Sequence, residues 1–314
     1  MADPLEDIPG VGPSTAKKLR DGGYVDMVSI AVAPLAELME RTGLGLETAS
    51  KVIREAREMA KIDIISAKEL YERRKGVLRC TTGSRSLDSL LGGGVETQAL
   101  TELIGEYGAG KTQICFTLCV TCQLPPERGG LGCGAVYIDT EGTFHPQRVY
   151  QIAERWGLDP SGVLENITVG RAYTSDHQML LVESLSSEVD MSRVRLLIVD
   201  SVISHFRGEF VGRENLAERQ QRLNKHLHAI QRMAEAYNLA VVLTNQAVAD
   251  PSQFFGNPNK PAGGHVMGHA CTHRIWIQKG RQGTRIAKII DSPSLPEGEA
   301  RFTITERGIE DTEG

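Results

Sequence analysis

Eight residues in the first half of the chain have the types and spacing of a phosphate-binding loop. Residues 105–112 read Gly-Glu-Tyr-Gly-Ala-Gly-Lys-Thr, which fits the P-loop pattern. Glycines let several backbone N–H groups approach a triphosphate, and the positive end of the following helix attracts the anion. In this pattern Lys111 reaches the β- and γ-phosphates, and the Thr112 hydroxyl holds Mg²⁺. The segment predicts a nucleoside triphosphate site with contacts from Gly105, Glu106, Tyr107, Gly108, Ala109, Gly110, Lys111, Thr112 and Gln113.

Acidic and amide side chains follow three other apolar runs. Asp200 closes Leu196–Asp200, a position typical of the carboxylate that holds Mg²⁺, here through water. Glu141 lies two residues after the run ending at Asp139 and is a candidate general base for an attacking water. Gln246 ends the predicted strand of Val241–Asn245, where its amide would contact a γ-phosphate. A single acidic residue after a strand is more often a cap or turn residue, but three such positions in one P-loop domain favour a catalytic set.

A sheet is needed to bring these strand ends together. Short β-rich runs alternate with helical stretches near residues 113–123, 146–156, 176–190 and 215–236. The runs are Gln98–Ile104, Ala135–Asp139, Leu196–Asp200 and Ala240–Thr244. Unbroken apolar strands are typical of a central parallel sheet. The alternation therefore predicts an α/β domain with a twisted, mostly parallel sheet and its ligand at the carboxyl ends of the strands.

The first 60 residues have a different pattern, with two helical segments around glycine turns. The turn Gly10-Val-Gly12 leads into a predicted Ser/Thr-capped helix that carries Lys17. This arrangement resembles a helix-hairpin-helix unit, whose turn presents N–H groups to a DNA phosphate. A second, weaker copy runs from Thr42 to Arg57, and a small helical bundle with tight turns is the alternative for it. We expect a small all-α DNA-binding domain with contacts at Gly10, Gly12 and Lys17.

Composition sets wider limits on the protein. The chain has 314 residues and a net charge of −5, so DNA binding would depend on local basic patches. No apolar stretch approaches the ~20 residues of a membrane span, and the N-terminus lacks a signal-peptide layout, so we expect a cytoplasmic protein.

Cys119 and Cys122 have redox or zinc spacing, but their apolar surroundings favour buried free thiols. His265, His269 and His273 mimic ligand spacing, although nearby glycines make a regular helix there doubtful.

The order of motifs resembles the archaeal RadA recombinases, which belong to the RecA-like strand-exchange ATPases. The matching segments are Thr82–Asp88, Leu91–Gly94, the P-loop, Asp139–Phe144, Gly212-Arg213, Leu216–Gln221, Asn245-Gln246, Gly263–His265 and Leu295–Ala300. The resemblance implies a helix-hairpin-helix domain over 1–60, a linker with a polymerisation segment over 61–80 and a RecA-like ATPase core over 81–314. It also implies DNA-dependent ATP hydrolysis, helical filaments on single-stranded DNA, and homologous pairing and strand exchange in recombinational repair.

The resemblance implies cofactors, partners and residue roles as well. The cofactors are ATP and Mg²⁺, and a monovalent cation such as K⁺ is left open. The partners are single- and double-stranded DNA, further copies of the chain and recombination mediators, with no membrane and a nucleoid-associated location. Catalysis is assigned to Glu141, Lys111 and Gln246, and Arg148 is placed near the adenine. Residues implied to reach the nucleotide of the adjacent protomer are Asp291, Pro296 and His269.

The same resemblance predicts two DNA-binding loops. The first, near Phe206–Leu216, contains Arg207 and Arg213, with Arg219 just beyond it. The second, about Ala247–Met267, contains Phe254, Phe255 and Lys260. Both contain glycine and read as too irregular for sheet or helix, and loops of that length are often functional. Arginines neutralise phosphates and aromatic side chains separate stacked bases, whereas a solvated loop without such a role is the alternative.

The chain departs from the family at three places. His145 and Gln147 stand where Arg and Glu are common, and Asp250 stands where a basic residue is common. The polymerisation segment normally inserts a Phe and an Ala into the neighbouring subunit. Here it reads Ile64-Ile-Ser-Ala67, so self-association would depend on Ile64 and Ala67.

Two other functional classes share this core. One is a recombinase paralogue that modulates filaments without exchanging strands, and the other is a ring helicase. The chain retains both predicted DNA loops, and nothing in it indicates duplex unwinding, so the sequence favours the recombinase.

Overall fold

The computed structural model describes residues 4–62, 64–249 and 259–312. The chain divides into two units, one of residues 1–76 with 182–191 and one of residues 77–181 with 192–314. Each unit is built around its own cluster of buried apolar side chains.

The N-terminal unit is helical over the described part of residues 4–76. After a 3₁₀ turn at Pro4–Asp7, its helices are α1 (Pro13–Asp21), α2 (Met27–Ala31), α3 (Leu35–Thr42), α4 (Leu46–Met59) and α5 (Ala67–Arg74). Leu5, Leu19, Leu38 and Val52 are almost fully buried at its centre. Apolar residues at three- and four-residue spacing form these inner faces. The predicted small all-α domain is thus confirmed.

The cap of α1 differs from the prediction. Gly12 is the N-cap, and no side chain bonds to the first turn. Pro13 occupies the first helical position, where its fixed φ suits the helix and its missing N–H is not needed. Ser14 and Thr15 therefore lie inside the helix, and the predicted Ser/Thr cap is wrong.

The strands and the remaining helices follow residue 76, and all but part of the helix Ser175–Glu188 and of the 3₁₀ turn near residue 191 belong to the second unit. The strands are β1 (Arg79–Cys80), β2 (Val95–Glu96), β3 (Ala99–Gly105), β4 (Gly134–Asp139), β5 (Ile167–Arg171), β6 (Val194–Asp200), β7 (Ala240–Ala249), β8 (Asn259–Pro261), β9 (His273–Lys279), β10 (Thr284–Asp291), β11 (Glu299–Thr305) and β12 (Gly308–Asp311). The helices after residue 77 are α6 (Arg85–Leu90), α7 (Lys111–Thr121), α8 (Pro146–Trp156), α9 (Pro160–Glu165), α10 (Ser175–Glu188), α11 (Ser204–Glu209), α12 (Leu216–Ala236) and α13 (Gly264–Ala270), with 3₁₀ turns at Pro126–Arg128 and Met191–Arg193.

Most strands form one mixed sheet in the order β12-β11-β10-β9-β3-β7-β6-β4-β5, with β8 paired to β7. The six strands from β9 to β5 run parallel, whereas β10, β11 and β12 extend the sheet antiparallel. β3 and β4 are buried along their whole length, as expected of strands covered on both faces. The predicted α/β core with a mostly parallel sheet is confirmed.

The register of the sheet brings the predicted functional segments to one edge. Gly105 is paired with Gln246 between β3 and β7. Asp139 is paired with Asp200 between β4 and β6. Because these strands are parallel, the segments that follow them leave the sheet at the same end. The strand order therefore assembles a site that is scattered over more than a hundred residues of sequence.

The cysteines and histidines with ligand-like spacing lie at defined positions in the fold. Cys115 and Cys119 lie on α7, and Cys122 is its C-cap rather than a mid-helix residue. All three are buried free thiols, and burial raises the pKa of each. His265 and His269 lie on α13, so a helix does form there despite its glycines.

Two kinds of feature are absent from the part of the chain that the structure describes, a metal-ligand cluster and a membrane-spanning helix. It contains no group of three or more His, Cys, Asp or Glu side chains arranged to hold a metal ion. It also contains no helix with both the length and the apolar character needed to cross a membrane.

Candidate functional site

The predicted P-loop connects β3 to α7. β3 ends at Gly105, and α7 begins at Lys111 rather than at Gln113, with Gly110 as its N-cap. Gly110 has a φ of 109°, in the left-handed region that glycine adopts most readily. A Cβ on Gly105 would lie 2.4 Å from the carbonyl oxygen of Ile277, so this position also requires glycine. The structure confirms the strand, loop and helix that the motif requires.

The side chain of Lys111 folds back over the loop. Its Nζ donates to the carbonyl oxygens of Gly105 (2.8 Å) and Glu106 (3.0 Å). Burial lowers the pKa of Lys111, and the carboxylates of Asp200 and Glu141 oppose that effect. The ammonium group therefore lies in the loop, under the influence of two acidic residues, where it would meet an incoming phosphate.

Asp200 ends β6 beside the P-loop helix. Its Oδ2 accepts hydrogen bonds from Thr112 Oγ1 (2.7 Å) and from the Tyr137 hydroxyl (2.6 Å). Its Oδ1 accepts a third from the Thr244 hydroxyl. Hydroxyl and carboxylate oxygens are the hard ligands that Mg²⁺ prefers. The Thr112–Asp200 pair thus fits the predicted cation, while direct or water-mediated coordination by Asp200 stays a prediction.

Tyr137 and Thr244 were missed by the sequence analysis. Both lie within buried strands, where tyrosine and threonine are ordinary residues. Burial and the nearby Asp200 raise the pKa of Tyr137, so its phenol stays protonated and donates to the carboxylate. Strand periodicity was the available signal, because residues two apart share a face. Tyr137 precedes Asp139 by two positions, and Thr244 precedes Gln246 by two.

The candidate base and the candidate γ-phosphate sensor are in contact. Gln246 Nε2 donates to Glu141 Oε1 at 3.1 Å. Arg207 Nη1 in turn donates to Gln246 Oε1 at 3.4 Å. The predicted strand end at Gln246 is wrong, since β7 continues to Ala249. Glu141, Gln246 and Arg207 nevertheless form one chain of hydrogen bonds across three segments.

A cleft of about 980 Å³ lies between these groups, which is ample for a nucleotide. Its lining includes Tyr107, Gly108, Gly110, Lys111, Thr112, Gln113, Glu141, Arg148, Asp200, Gln246 and Arg285. Most of the predicted phosphate, metal and catalytic residues therefore line a single cavity, whereas Gly105, Glu106 and Ala109 of the P-loop do not line it. Their individual roles stay predictions.

Arg148 forms part of one wall of the cleft. Its Nε donates to Gln113 Oε1 (2.8 Å), and its other nitrogens donate to the carbonyl oxygens of Thr305 and Glu306. Partial burial lowers the pKa of this guanidinium, and Glu306 opposes that effect. Arg148 is thus held at the end of the cleft formed by α8 and β11, and its predicted place beside the adenine stays a prediction.

Arg285 is another basic residue of the cleft, and it was not predicted from the sequence. It lies on β10, and its Nε donates to the carbonyl oxygen of Ala109 in the P-loop at 3.0 Å. No motif marks it, because this contact joins segments that are far apart in the sequence. The residues assigned to a neighbouring nucleotide, His269, Pro296 and Asp291, are exposed and do not line the cleft.

The first predicted DNA loop is more ordered than expected. Arg207 lies on helix α11, and Phe206 beside it is fully buried. The prediction of an irregular loop is wrong for residues 206–209, which lie in α11, because Phe206 anchors this turn of helix in the core. Arg213 is exposed between α11 and α12, and Arg219 lies in the first turns of α12.

The second predicted loop begins and ends in regular structure. β7 and β8 pair antiparallel, with Val248 opposite Lys260, and α13 follows. The prediction of irregular structure is therefore wrong for the two ends of the segment. Lys260 is exposed on β8, whereas Phe254 and Phe255 lie outside the described residues.

The glycine turns of the N-terminal unit have the expected backbone. Gly10 has a φ of 88° and Gly43 a φ of 66°, both in the left-handed region. Gly12 and Gly45 are the N-caps of α1 and α4. Lys17 is exposed on α1. These turns leave backbone N–H groups at two helix N-termini, as the helix-hairpin-helix interpretation requires.

The predicted polymerisation segment is exposed. Ile64 is fully accessible, at 105% of its reference area, and Ala67 is the exposed first residue of α5. A large apolar side chain without contacts in its own chain is a candidate for contact with another molecule.

Comparison with known protein families agrees with this geometry. A family model described as Rad51 matches residues 73–312, which is most of the chain. A model described as a SAM-like helix-hairpin-helix tandem matches residues 2–58. Rad51-family proteins are RecA-type recombinases and DNA-dependent ATPases that use ATP and Mg²⁺. The Rad51 model covers most of the chain, and the structure has a P-loop, an oxygen pair suited to Mg²⁺ and a RecA-like α/β core. The chain therefore belongs to the Rad51 family.

Proposed function

We propose that the chain is an ATP-dependent DNA recombinase of the archaeal RadA type. It forms helical filaments on single-stranded DNA and catalyses homologous pairing and strand exchange in recombinational repair. The observation that carries this proposal is the hydrogen-bond chain from Glu141 through Gln246 to Arg207. It joins the candidate base of ATP hydrolysis to a residue predicted to contact DNA.

In this proposal the cleft binds ATP and hydrolyses it with its own side chains. The P-loop amides and Lys111 hold the phosphates, while Thr112 and Asp200 hold Mg²⁺, which neutralises charge on the phosphate oxygens when bound. The hydrogen bond from Gln246 occupies Glu141 Oε1, so Glu141 Oε2 remains to accept a proton from water. Gln246 senses the γ-phosphate through the same amide.

DNA binds through local positive charge, since the net charge of the chain is −5. Arg207, Arg213 and Arg219 contact phosphates from the first segment, and Lys260 does so from β8. Phe254 and Phe255 separate stacked bases, and the glycine turns at Gly10 and Gly12, with Lys17, add phosphate contacts in the N-terminal domain.

In this proposal each segment of the chain has its own role in assembly. Residues 1–60 form the DNA-binding domain, 61–80 the linker and 81–314 the ATPase core. Ile64 and Ala67 connect subunits, and Asp291, Pro296 and His269 then reach the neighbouring nucleotide. The proposal includes recombination mediators as partners, K⁺ as an additional cation and a nucleoid-associated location in the cytoplasm.

Electron microscopy of the protein on single-stranded DNA tests this assembly. With a non-hydrolysable ATP analogue, the proposal expects continuous helical filaments, and it expects far fewer without nucleotide. Isolated rings or monomers on DNA under both conditions would contradict it.

A further inference from the structure

One buried carboxylate organises the turn that carries the candidate base. Asp139 is 4% exposed at the end of β4. Its Oδ1 accepts hydrogen bonds from the backbone N–H groups of Glu141 (3.1 Å), Gly142 (2.7 Å) and Thr143 (3.2 Å). Its Oδ2 accepts a fourth from the N–H of Phe144 (3.1 Å). Four consecutive backbone donors therefore converge on one side chain.

The residues on either side of this turn are fixed separately. Thr140 Oγ1 donates to the carbonyl oxygen of Ser201 (3.0 Å) and accepts from the Ser201 N–H (2.8 Å). The ring of Phe144 packs against Phe116 and Tyr137, with centroids 5.6 and 4.9 Å apart. Between these two anchors, the backbone N–H groups of the turn bond to Asp139.

Arg171 closes over the same turn from β5. Its Nη1 donates to the backbone carbonyl of Asp139 at 3.0 Å and lies 3.5 Å from Asp139 Oδ1. Gly142 has a φ of 72°, and a Cβ there would lie 3.2 Å from Arg171 Nη2. The turn is thus tightly specified, although none of its internal hydrogen bonds involves the Glu141 side chain.

We propose that Asp139 is a positioning residue for the catalytic base. Its carboxylate holds the 141–144 turn in the one conformation that presents Glu141 to Gln246. Asp139 does not line the cleft, so it acts through Glu141 rather than on the nucleotide. This inference rests on the proposed role of Glu141. Misplacement of a catalytic group by about 1 Å can cost ~10²-fold in rate, which sets the scale of the effect.

The test is a double-mutant cycle on steady-state ATP hydrolysis in the full-length protein. Asp139→Asn keeps the size of the side chain but turns an N–H donor towards part of the turn. We expect kcat to fall by roughly 10- to 10²-fold, with KM for ATP changed less than about twofold. Combined with Glu141→Gln, it should add no further loss, because a base that is absent cannot be mispositioned.

A matched control separates positioning from ordinary capping. Asp159 also accepts a backbone N–H, that of Gly162 at 2.9 Å, but it lies outside the cleft. Asp159→Asn should leave kcat unchanged. Binding of a fluorescent ATP analogue reports whether Asp139→Asn remains folded. If Asp139→Asn is unfolded, Arg171→Met replaces it in the cycle. We expect Arg171→Met to lower kcat by a smaller factor, and to cause no further loss when it is combined with Glu141→Gln.

The outcomes discriminate between this inference and the proposed function. Wild-type kcat in Asp139→Asn, or a loss that multiplies with that of Glu141→Gln, would overturn the positioning role. Wild-type kcat in Glu141→Gln would instead remove the base assignment on which it rests.

Discussion

Gln246 Nε2 lies 3.1 Å from Glu141 Oε1, so residues from β7 and from the turn after β4 meet over the nucleotide cleft. β7 continues beyond Gln246 and pairs with β8, which carries Lys260. The residue that contacts the candidate base is therefore part of the strand that leads to the second predicted DNA loop. In the proposed function, Gln246 therefore connects the site of ATP hydrolysis to the segment that binds DNA.

Replacing Lys111 with alanine should abolish productive ATP binding and strand exchange. The change removes the ammonium that lies within the P-loop, whereas the N-terminal domain contains none of these contacts and should remain folded. ATPase assays and circular dichroism measure the two effects. Lys288→Ala, on the exposed side of β10, is the control and should retain activity. Near-normal hydrolysis by the Lys111 variant would remove the basis for the nucleotide site.

Glu141→Gln should bind ATP and DNA but hydrolyse ATP about 10²–10⁴-fold more slowly, the usual contribution of a general base. The amide keeps the shape of the side chain and its contact with Gln246. Single-turnover hydrolysis, measured beside nucleotide binding, separates chemistry from affinity. Glu165→Gln, at the exposed end of α9, is the matched control. An unchanged rate would mean that another group positions the water.

Some parts of the site are set by adjacent residues, and others only by tertiary contacts. The P-loop was predictable because its function depends on backbone conformation over eight adjacent residues. Tyr137, Thr244 and Arg285 were not, because their contacts exist only after strands distant in sequence have paired. The helix at Ser204–Glu209 was missed for a similar reason, since burial of Phe206 by tertiary packing stabilises it.

Local propensity also gave a wrong prediction for the start of helix α1. Ser14 and Thr15 are good capping residues, but Pro13 before them set the first turn. By contrast, the parallel strands were clear from their unbroken apolar runs, and their common edge followed from the fold class. Element types were therefore more predictable than the side-chain contacts between them.

Affinity for single-stranded DNA should fall steeply as salt concentration rises, because phosphate contacts release bound counterions. Arg213→Ala should reduce the slope of log K against log salt by about one. Fluorescence anisotropy over a salt titration measures this slope. Arg193→Ala provides a control, since Arg193 precedes β6 at the opposite end from Asp200. A salt-independent affinity would contradict contacts by Arg207, Arg213 and Arg219.

Self-association without DNA should be weaker for this protein than for its Ile64→Phe variant. Ile64 is fully exposed, and Phe offers more apolar area to a partner. The expected difference is about 1 kcal/mol at ~25 cal/mol per Å² of buried area. Sedimentation of wild type, Ile64→Phe and Ile64→Asp measures it, and Ile62→Asp is a control in the same segment. Identical distributions for the three Ile64 forms would show that this segment does not connect subunits.

Homologous strand exchange is the most direct test of the central claim. The protein is assembled on a single strand with ATP and Mg²⁺, and a fluorescently paired duplex of the same or an unrelated sequence is added. The proposed recombinase should transfer the complementary strand from the homologous duplex only, with nucleotide present, and Lys111→Ala should show no transfer. DNA-stimulated ATP hydrolysis without any transfer from the homologous duplex would contradict the account.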